Sequence, residues 1–174
     1  MDEDDALMER AREGDAGAFD RIVRRHQGRL QRFATRMAGG DAARGADVAV
    51  GALLRLWESR HTYRPEGRLG ALLLRTAYRL VLDEVRQNRP GESVHALAAP
   101  ETDFAGRAVA EAVRDAVSAL PPEQRAVLVL TAYEGLDYHA VAHALGIPPG
   151  TVASRRHQAL KTLRRRLAAW DDPR

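Results

Sequence analysis

Apolar residues recur every three or four positions along most of this chain, and no stretch long enough for a strand alternates apolar with polar residues. This spacing matches the helical period of about 3.6 residues, which gathers apolar side chains on one face. One such stripe begins after Asp15, a residue type that caps helices, and ends at Gly39-Gly40. Two more stripes are predicted for about 41–59 and 69–87. We therefore expect an all-α fold that opens with a three-helix bundle. The side chains expected to be buried on the third of these helices are Leu72, Leu73, Ala77, Leu80 and Val81.

A change of composition after the third helix predicts a second domain. Pro90, Gly91, Pro100 and Gly106 stand among small residues there, a composition typical of flexible connections. We therefore place a flexible linker at 91–106, between small helical domains at 1–90 and 107–174. The second domain is predicted to contain about four short helices. Its first predicted helix buries Val109, Val113, Ala116, Val117 and Leu120.

The most specific local signal is a pair of helices joined by a tight turn. A short helix is predicted for residues 138–145, and a second helix from about Pro149. Between them, Gly146 can adopt the left-handed conformation that ends a helix, and Ile147 can fill the angle between the helices. In a helix-turn-helix the second helix enters the major groove of DNA with its N-terminal residues toward the bases. The predicted outward residues are Thr151, Ser154, Arg155 and Gln158.

The charge pattern is consistent with this prediction. Residues 151–168 contain six basic residues and no acidic residue, which is typical of a helix that faces phosphates. The alternative is a solvated charged face that binds nothing. Charge alone does not separate these two interpretations.

Other classes of function find little support in the sequence. There is no cysteine, so disulfides and thiolate zinc sites are excluded. His139 and His143 have a spacing that can hold a metal, but no third ligand is evident nearby, so we expect no metal and no cofactor. Neither a glycine-rich phosphate loop nor a nucleophile turn is present, and we do not expect an enzyme. Without a signal sequence or a long apolar run, we expect a cytoplasmic protein with no membrane insertion.

Several strings of residues resemble those of one protein family. In the C-terminal part these strings are Leu120-Pro121-Pro122-Glu123-Gln124-Arg125, Glu134-Gly135-Leu136-Asp137-Tyr138 and Gly146-Ile147-Pro148-Pro149-Gly150-Thr151-Val152. They resemble the fourth conserved region of extracytoplasmic-function sigma factors. In the N-terminal part the strings are Gly14-Asp15, Ala18-Phe19, Ala46-Asp47, Leu54-Arg55-Leu56-Trp57 and Leu73-Leu74-Arg75-Thr76-Ala77. They are similar to the second region of the same family, and both regions occur here in the family's order.

This resemblance implies an alternative sigma factor, a protein that binds core RNA polymerase and directs promoter-specific transcription initiation. The residues expected to contact the upstream promoter element are Thr151, Ser154, Arg155, His157, Gln158 and Lys161. Those expected to contact the downstream element are Arg60, His61, Tyr63, Arg75, Arg79 and Arg86. Those expected to contact core polymerase are Asp47, Val50, Leu54 and Trp57. The partners implied are core RNA polymerase and promoter DNA, and the sequence leaves open whether an anti-sigma factor is a third.

The chain departs from the family pattern at several of these positions. Val50 and Gly51 stand where the family usually has glutamine and glutamate, and Leu72 and Arg79 replace a usual tryptophan and asparagine. Loss of two polar contacts would weaken core binding, because a hydrogen bond to a charged group contributes about 1.5–3 kcal/mol. The alternative hypothesis is therefore a sigma-like DNA-binding regulator that has lost productive engagement with core polymerase.

Overall fold

A computed structural model describes residues 2–87 and 104–168 of the chain. Helices are the only regular secondary structure within these ranges. The prediction of an all-α fold is confirmed. The N-terminal helices are α1 (Glu3–Arg12), α2 (Ala16–Met37), α3 (Ala42–Glu58) and α4 (Leu69–Gln87), with a 3-10 turn at Arg60–Thr62. The C-terminal helices are α5 (Phe104–Ser118), α6 (Pro122–Leu128) continued by a π-helical segment (Val129–Tyr133), α7 (Tyr138–Leu145) and α8 (Pro149–Leu167).

Aspartate caps fix where three of these helices begin. The carboxylates of Asp15, Asp41 and Asp137 accept hydrogen bonds from backbone N–H groups in the first turns of α2, α3 and α7, at 2.8–3.0 Å. Each bond satisfies an N–H group that has no partner within the helix. The observed starts of α2, α3 and α7 therefore agree closely with those predicted from the sequence.

The N-terminal domain has one helix more than predicted. Leu7, Met8 and Ala11 of α1 are buried in the same core as α2, α3 and α4. Contacts between α2 and α3 form the centre of this domain, and α1 and α4 pack against α2. The domain is thus a four-helix unit.

Two side chains predicted to be buried lie at the surface. Leu72 on α4 is 40% exposed, and Val109 on α5 is 49% exposed, so both predictions were wrong. On α4, Leu74 and Tyr78 are buried and Leu80 is only half-buried. The buried stripe of α4 is therefore rotated from the predicted one, because α4 contacts both α3 and the C-terminal helix α7.

The two predicted domains pack against each other and share one apolar core. Helix α7 lies on α4, and the π-helical segment contacts α2, so that Val141 and Leu145 share one apolar core with Leu73. Residues 91–103 of the predicted linker lie outside the described residues. Its last three residues form the start of α5, which begins at Phe104.

A close crossing of α2 and α3 depends on Gly45. A Cβ atom at this position would lie 2.0 Å from Thr35 Oγ1 and 2.8 Å from the Thr35 backbone nitrogen, distances that force a backbone shift. We expect Gly45→Ala to lower the free energy of unfolding by about 2 kcal/mol despite alanine's higher helix propensity. Urea unfolding measures this loss. Gly51→Ala is the matched control, since its Cβ would meet only the flexible end of Leu80 at 3.3 Å. Equal stability of the two variants would contradict the crossing.

Candidate nucleic-acid interface

The helix-turn-helix has the predicted geometry. Helix α7 ends at Gly146, whose φ of 69° is the left-handed conformation expected there. The N–H of Ile147 donates to Ala142 O at 3.0 Å, and Ile147 packs against the core. Helix α8 then begins with Pro149, and the N–H of Thr151 donates to Pro148 O at 2.9 Å. The turn therefore sets the direction in which α8 leaves the domain.

Helix α8 separates an inner face from a basic outer face. Val152 and Ala159 are fully buried against the rest of the domain. The six residues predicted to contact the upstream element lie away from that side. Of these, Ser154, His157, Gln158 and Lys161 are exposed, and Thr151 and Arg155 are half-buried. The structure therefore brings all six predicted residues onto one helix surface.

Two residues of this surface have neighbours that the sequence did not reveal. Gln124 Nε2 on α6 donates to Gln158 Oε1 at 3.3 Å, which orients the Gln158 side chain. Burial and the charge of Glu123 raise the pKa of Tyr78 on α4, and the charge of Arg155 opposes part of this rise.

The residues predicted to contact the downstream element fall into two groups. The first group, Arg60, His61 and Tyr63, lies in and beside the 3-10 turn after α3. The Arg60 guanidinium lies 4.1 Å from the centre of the Trp57 ring and donates to Trp57 O at 2.9 Å. His61 is exposed, whereas Tyr63 is half-buried and its hydroxyl donates to Asp5 Oδ1 at 2.6 Å. Arg60 and Tyr63 are thus held by the protein itself.

The second group consists of three arginines on α4. Arg75, Arg79 and Arg86 line one cavity of about 350 Å³, which Leu145 of α7 closes on one side. Arg79 and Arg86 are exposed. Arg75 is half-buried because its guanidinium donates to the backbone oxygen of His143 on α7. Asp83 lines the same cavity, with its Oδ1 4.0 Å from Arg86 Nη1. Three basic side chains and one acidic side chain leave the cavity with a net positive charge, which suits an anionic partner.

Ion pairs that join the two domains were not predicted. The Glu134 carboxylate is 6% exposed and accepts from Arg29 Nε at 3.1 Å, with Arg36 Nη1 3.9 Å away. The Arg36 guanidinium also lies 4.6 Å from the centre of the Tyr133 ring. These partners are about a hundred residues apart in the sequence, so no local pattern indicates them.

A half-buried arginine makes a further connection between the domains. Arg125 on α6 donates to the backbone oxygens of Met37, Ser118 and Leu120. Burial lowers the pKa of Arg125. On α7, burial together with Arg68 and Arg75 lowers the pKa of His143. The side of the C-terminal domain that meets α2 and α4 is therefore occupied by intramolecular contacts.

The residues predicted to bind polymerase lie along one side of α3. Asp47, Val50 and Leu54 are exposed, with Val50 at 49% and Leu54 at 55%. Trp57 is half-buried and its ring centre lies 4.8 Å from that of Phe19. Spacings of three, four and three residues place all four on the same helix face. We call these four residues the α3 face.

Within 2–87 and 104–168, no three histidine or acidic side chains come close enough together to hold a metal ion. No helix in these ranges is both long and apolar enough to cross a membrane.

Comparisons with known proteins agree on one family. Residues 22–90 match Sigma-70 region 2, and residues 110–163 match Sigma-70, region 4. The ECF RNA polymerase sigma factor SigL of Mycobacterium tuberculosis is 32% identical over 167 residues, covering 91% of this chain and 94% of that protein. The sigma factor CarQ of Myxococcus xanthus is 30% identical, covering 90% and 93%. The ECF sigma factor SigE of Mycolicibacterium smegmatis is 32% identical, and the chain spans 62% of its length.

Solved structures agree with these matches. CnrH, solved in complex with the cytosolic domain of CnrY, superposes with a TM-score of 0.74 at 26% identity, covering 97% of this chain and 99% of CnrH. The sigma factor RpoE of Bartonella quintana shares the fold at a TM-score of 0.68 and 18% identity. The match to region 2 precedes the match to region 4 along the sequence, and SigL and CarQ are matched over more than nine tenths of their lengths. The chain therefore belongs to the extracytoplasmic-function sigma factors of the sigma-70 family.

Proposed function

We propose that this chain is an alternative sigma factor that binds core RNA polymerase and directs promoter-specific transcription initiation. The observation that carries the proposal is the presence of two separate exposed surfaces, one on each domain. The outer face of α8 is basic and polar, as DNA recognition requires, and the α3 face is apolar except for Asp47 at its N-terminal end. In this role the chain acts in the cytoplasm as an initiation factor and not as an enzyme.

The C-terminal domain is proposed to read the upstream element as duplex DNA. An α-helix fits the major groove, where each base pair presents a distinct pattern of donors and acceptors. Arg155 can donate two hydrogen bonds to guanine, and Gln158 can pair with adenine through its amide. Arg164, Arg165 and Arg166 are exposed at the far end of α8, where they can contact phosphates.

The N-terminal domain is proposed to hold the downstream element once its strands separate. Separated strands need a basic surface and pockets for unstacked bases. The arginine-lined cavity on α4 and the turn containing Arg60 and His61 supply both features. Because Arg75 is bonded to α7, contact between Arg75 and DNA requires α7 to move away from α4.

The α3 face is proposed to dock on core polymerase. Val50 and Leu54 expose apolar surface that a partner can remove from water, which contributes about 25 cal/mol per Å². A side chain at position 51 would face Leu80 of α4. The apolar contacts of Val50 and Leu54 offset part of the binding free energy that the missing polar residues would contribute.

Gel filtration of the purified chain with bacterial core polymerase at moderate salt tests this function. We expect a stoichiometric complex, followed by permanganate-reactive thymines when a selected promoter fragment is added. The alternative, a regulator that no longer engages polymerase, instead predicts duplex binding without co-elution. It also predicts that Val50→Gln with Gly51→Glu creates core binding. No finding from the comparisons favours that alternative.

A further inference from the structure

Helix α1 carries two buried carboxylates that the proposed function leaves unused. Asp4 is 8% exposed and Asp5 is 4% exposed. Asp5 accepts from the Tyr63 hydroxyl at 2.6 Å through Oδ1 and from the Gly67 N–H at 2.8 Å through Oδ2. Both of its oxygens are therefore bonded to the segment that joins α3 to α4. We call this segment, residues 59–68, the α3–α4 loop.

Asp4 anchors the same helix to α2. It accepts from Arg25 Nη1 at 2.7 Å through Oδ1, and its Oδ2 lies 2.7 Å from His26 Nε2. The apolar side chains of Leu7 and Met8 are buried in the core beside it. Since α1 is fixed by these contacts, Asp5 is a rigid point of attachment for the loop.

Apart from Tyr63, which packs against the core, the other contacts of the α3–α4 loop lie near its two ends. Arg60 stacks on Trp57 at the start of the loop, and the Thr62 hydroxyl donates to Ser59 O at 2.9 Å. Most of the remaining loop residues are exposed. The two bonds to Asp5 therefore fix the loop at its middle, through Tyr63, and near its end, through Gly67, which has the left-handed conformation with φ of 66°.

The chemistry of the contact favours a fixed geometry. Burial, together with the charge of Asp5, raises the pKa of Tyr63, so its hydroxyl stays a donor across the physiological pH range. A buried carboxylate is stable only when its oxygens are bonded, and replacing such a group by apolar residues is often neutral for stability. The role of the buried Asp5 carboxylate beyond stability is therefore to fix the local conformation of the α3–α4 loop.

We propose that Asp5 is a positioning residue for the downstream promoter element. Through Tyr63 and Gly67 it holds the α3–α4 loop in the conformation that presents Arg60 and His61 to the separated DNA strand. This inference rests on the proposed function, because it requires the loop to meet DNA. Asp5 itself touches no nucleotide, and its charge is directed into the protein.

The test uses Tyr63→Phe and Asp5→Asn in the full chain bound to core polymerase. The probe is a promoter fragment selected from a random library by the wild-type holoenzyme, with 2-aminopurine in the downstream element. We expect each variant to open this fragment about tenfold more slowly. Tyr63→Phe removes the hydrogen bond to the charged Asp5, and Asp5→Asn removes the charge that strengthens it. Glu3→Gln is the matched control, because the Glu3 carboxylate lies in the same turn of α1 and pairs with Arg25 of α2 at 2.7 Å instead of with the loop. Wild-type rates in Tyr63→Phe and Asp5→Asn would overturn the proposal.

A double-mutant cycle separates positioning from a merely structural role. When Arg60 and His61 are both replaced by alanine, Tyr63→Phe should slow opening less than twofold further, because the residues that the loop presents are gone. A persistent tenfold effect in that background would show that Tyr63 acts elsewhere and would overturn the proposal.

Native-state proteolysis tests the loop without polymerase. A glutamyl endopeptidase that cuts after Glu66 should cleave Tyr63→Phe and Asp5→Asn about tenfold faster than wild type, and Glu3→Gln at the wild-type rate. Unchanged cleavage of Tyr63→Phe and Asp5→Asn would overturn the proposal. Failure of the wild-type chain to bind polymerase would instead contradict the proposed function, and the cleavage rates would still decide whether Asp5 holds the loop.

Discussion

Leu54→Asp is expected to lower the affinity of this chain for core RNA polymerase at least about a hundredfold, which corresponds to about 2.7 kcal/mol. Leu54 is 55% exposed and belongs to the apolar α3 face, so a docked partner would bury it. Aspartate at this position removes the apolar contact and places an unpaired charge in the interface. Losses of 2 kcal/mol or more are typical of residues at the centre of an interface. Fluorescence titration of labelled chain with core polymerase measures the loss.

The fold should survive this substitution, because more than half of the Leu54 side chain is in water. Val109→Asp is the matched control. Val109 is 49% exposed and lies on α5, in the other domain, so this variant should keep wild-type affinity. An affinity of Leu54→Asp within threefold of wild type, with an unchanged melting temperature, would show that polymerase docks on another surface.

Much of the fold could be predicted because its signals are local. Aspartates at 15, 41 and 137 cap the helices that follow them, and Gly146 ends α7 in the left-handed conformation. Each of these signals acts within four residues of its position, so a single sequence reveals it. The helix-turn-helix and the outward face of α8 followed from the same kind of signal.

Helix α1 was missed because its buried face is partly charged. Asp4 and Asp5 occupy positions that periodicity analysis expects to be apolar. Their burial depends on Arg25, His26 and Tyr63, which lie 21 to 58 residues away in the sequence. An acidic segment with few apolar residues looks like a solvated terminus until those partners are placed beside it.

In the candidate site, too, the features that depend on residues distant in the sequence could not be predicted. The predicted residues on α8 and α3 lie on the surfaces where the sequence placed them, since helix periodicity alone decides which face they share. Arg75 differs, because its guanidinium is bonded to a backbone oxygen of α7, 68 residues away. This contact between the domains, like those of Glu134 with Arg29 and Arg36, joins residues that are distant in the sequence, so helical periodicity does not predict it. Contacts between the domains therefore decide which predicted residues face solvent.

Arg155→Ala is expected to lower affinity for a selected upstream duplex by about five- to 150-fold, because a bidentate contact with a base contributes about 1–3 kcal/mol. Arg155 is half-buried in the N-terminal half of α8, the part of a recognition helix that reaches base edges in the major groove. The variant should also accept other bases at the position that Arg155 reads. Selection from a random duplex library, followed by titration at fixed salt, measures both effects.

Two variants of α8 distinguish base recognition from general attraction to phosphates. Arg155→Lys keeps the charge but loses the two-pronged geometry, so it should still relax specificity. Arg166→Ala removes an exposed charge at the far end of the helix. It should weaken binding to all duplexes alike and reduce the slope of affinity against salt by about one unit. If Arg155→Ala left affinity for every selected duplex unchanged, α8 would not be the recognition helix, and the polar residues beside Arg155 would have no role in reading DNA.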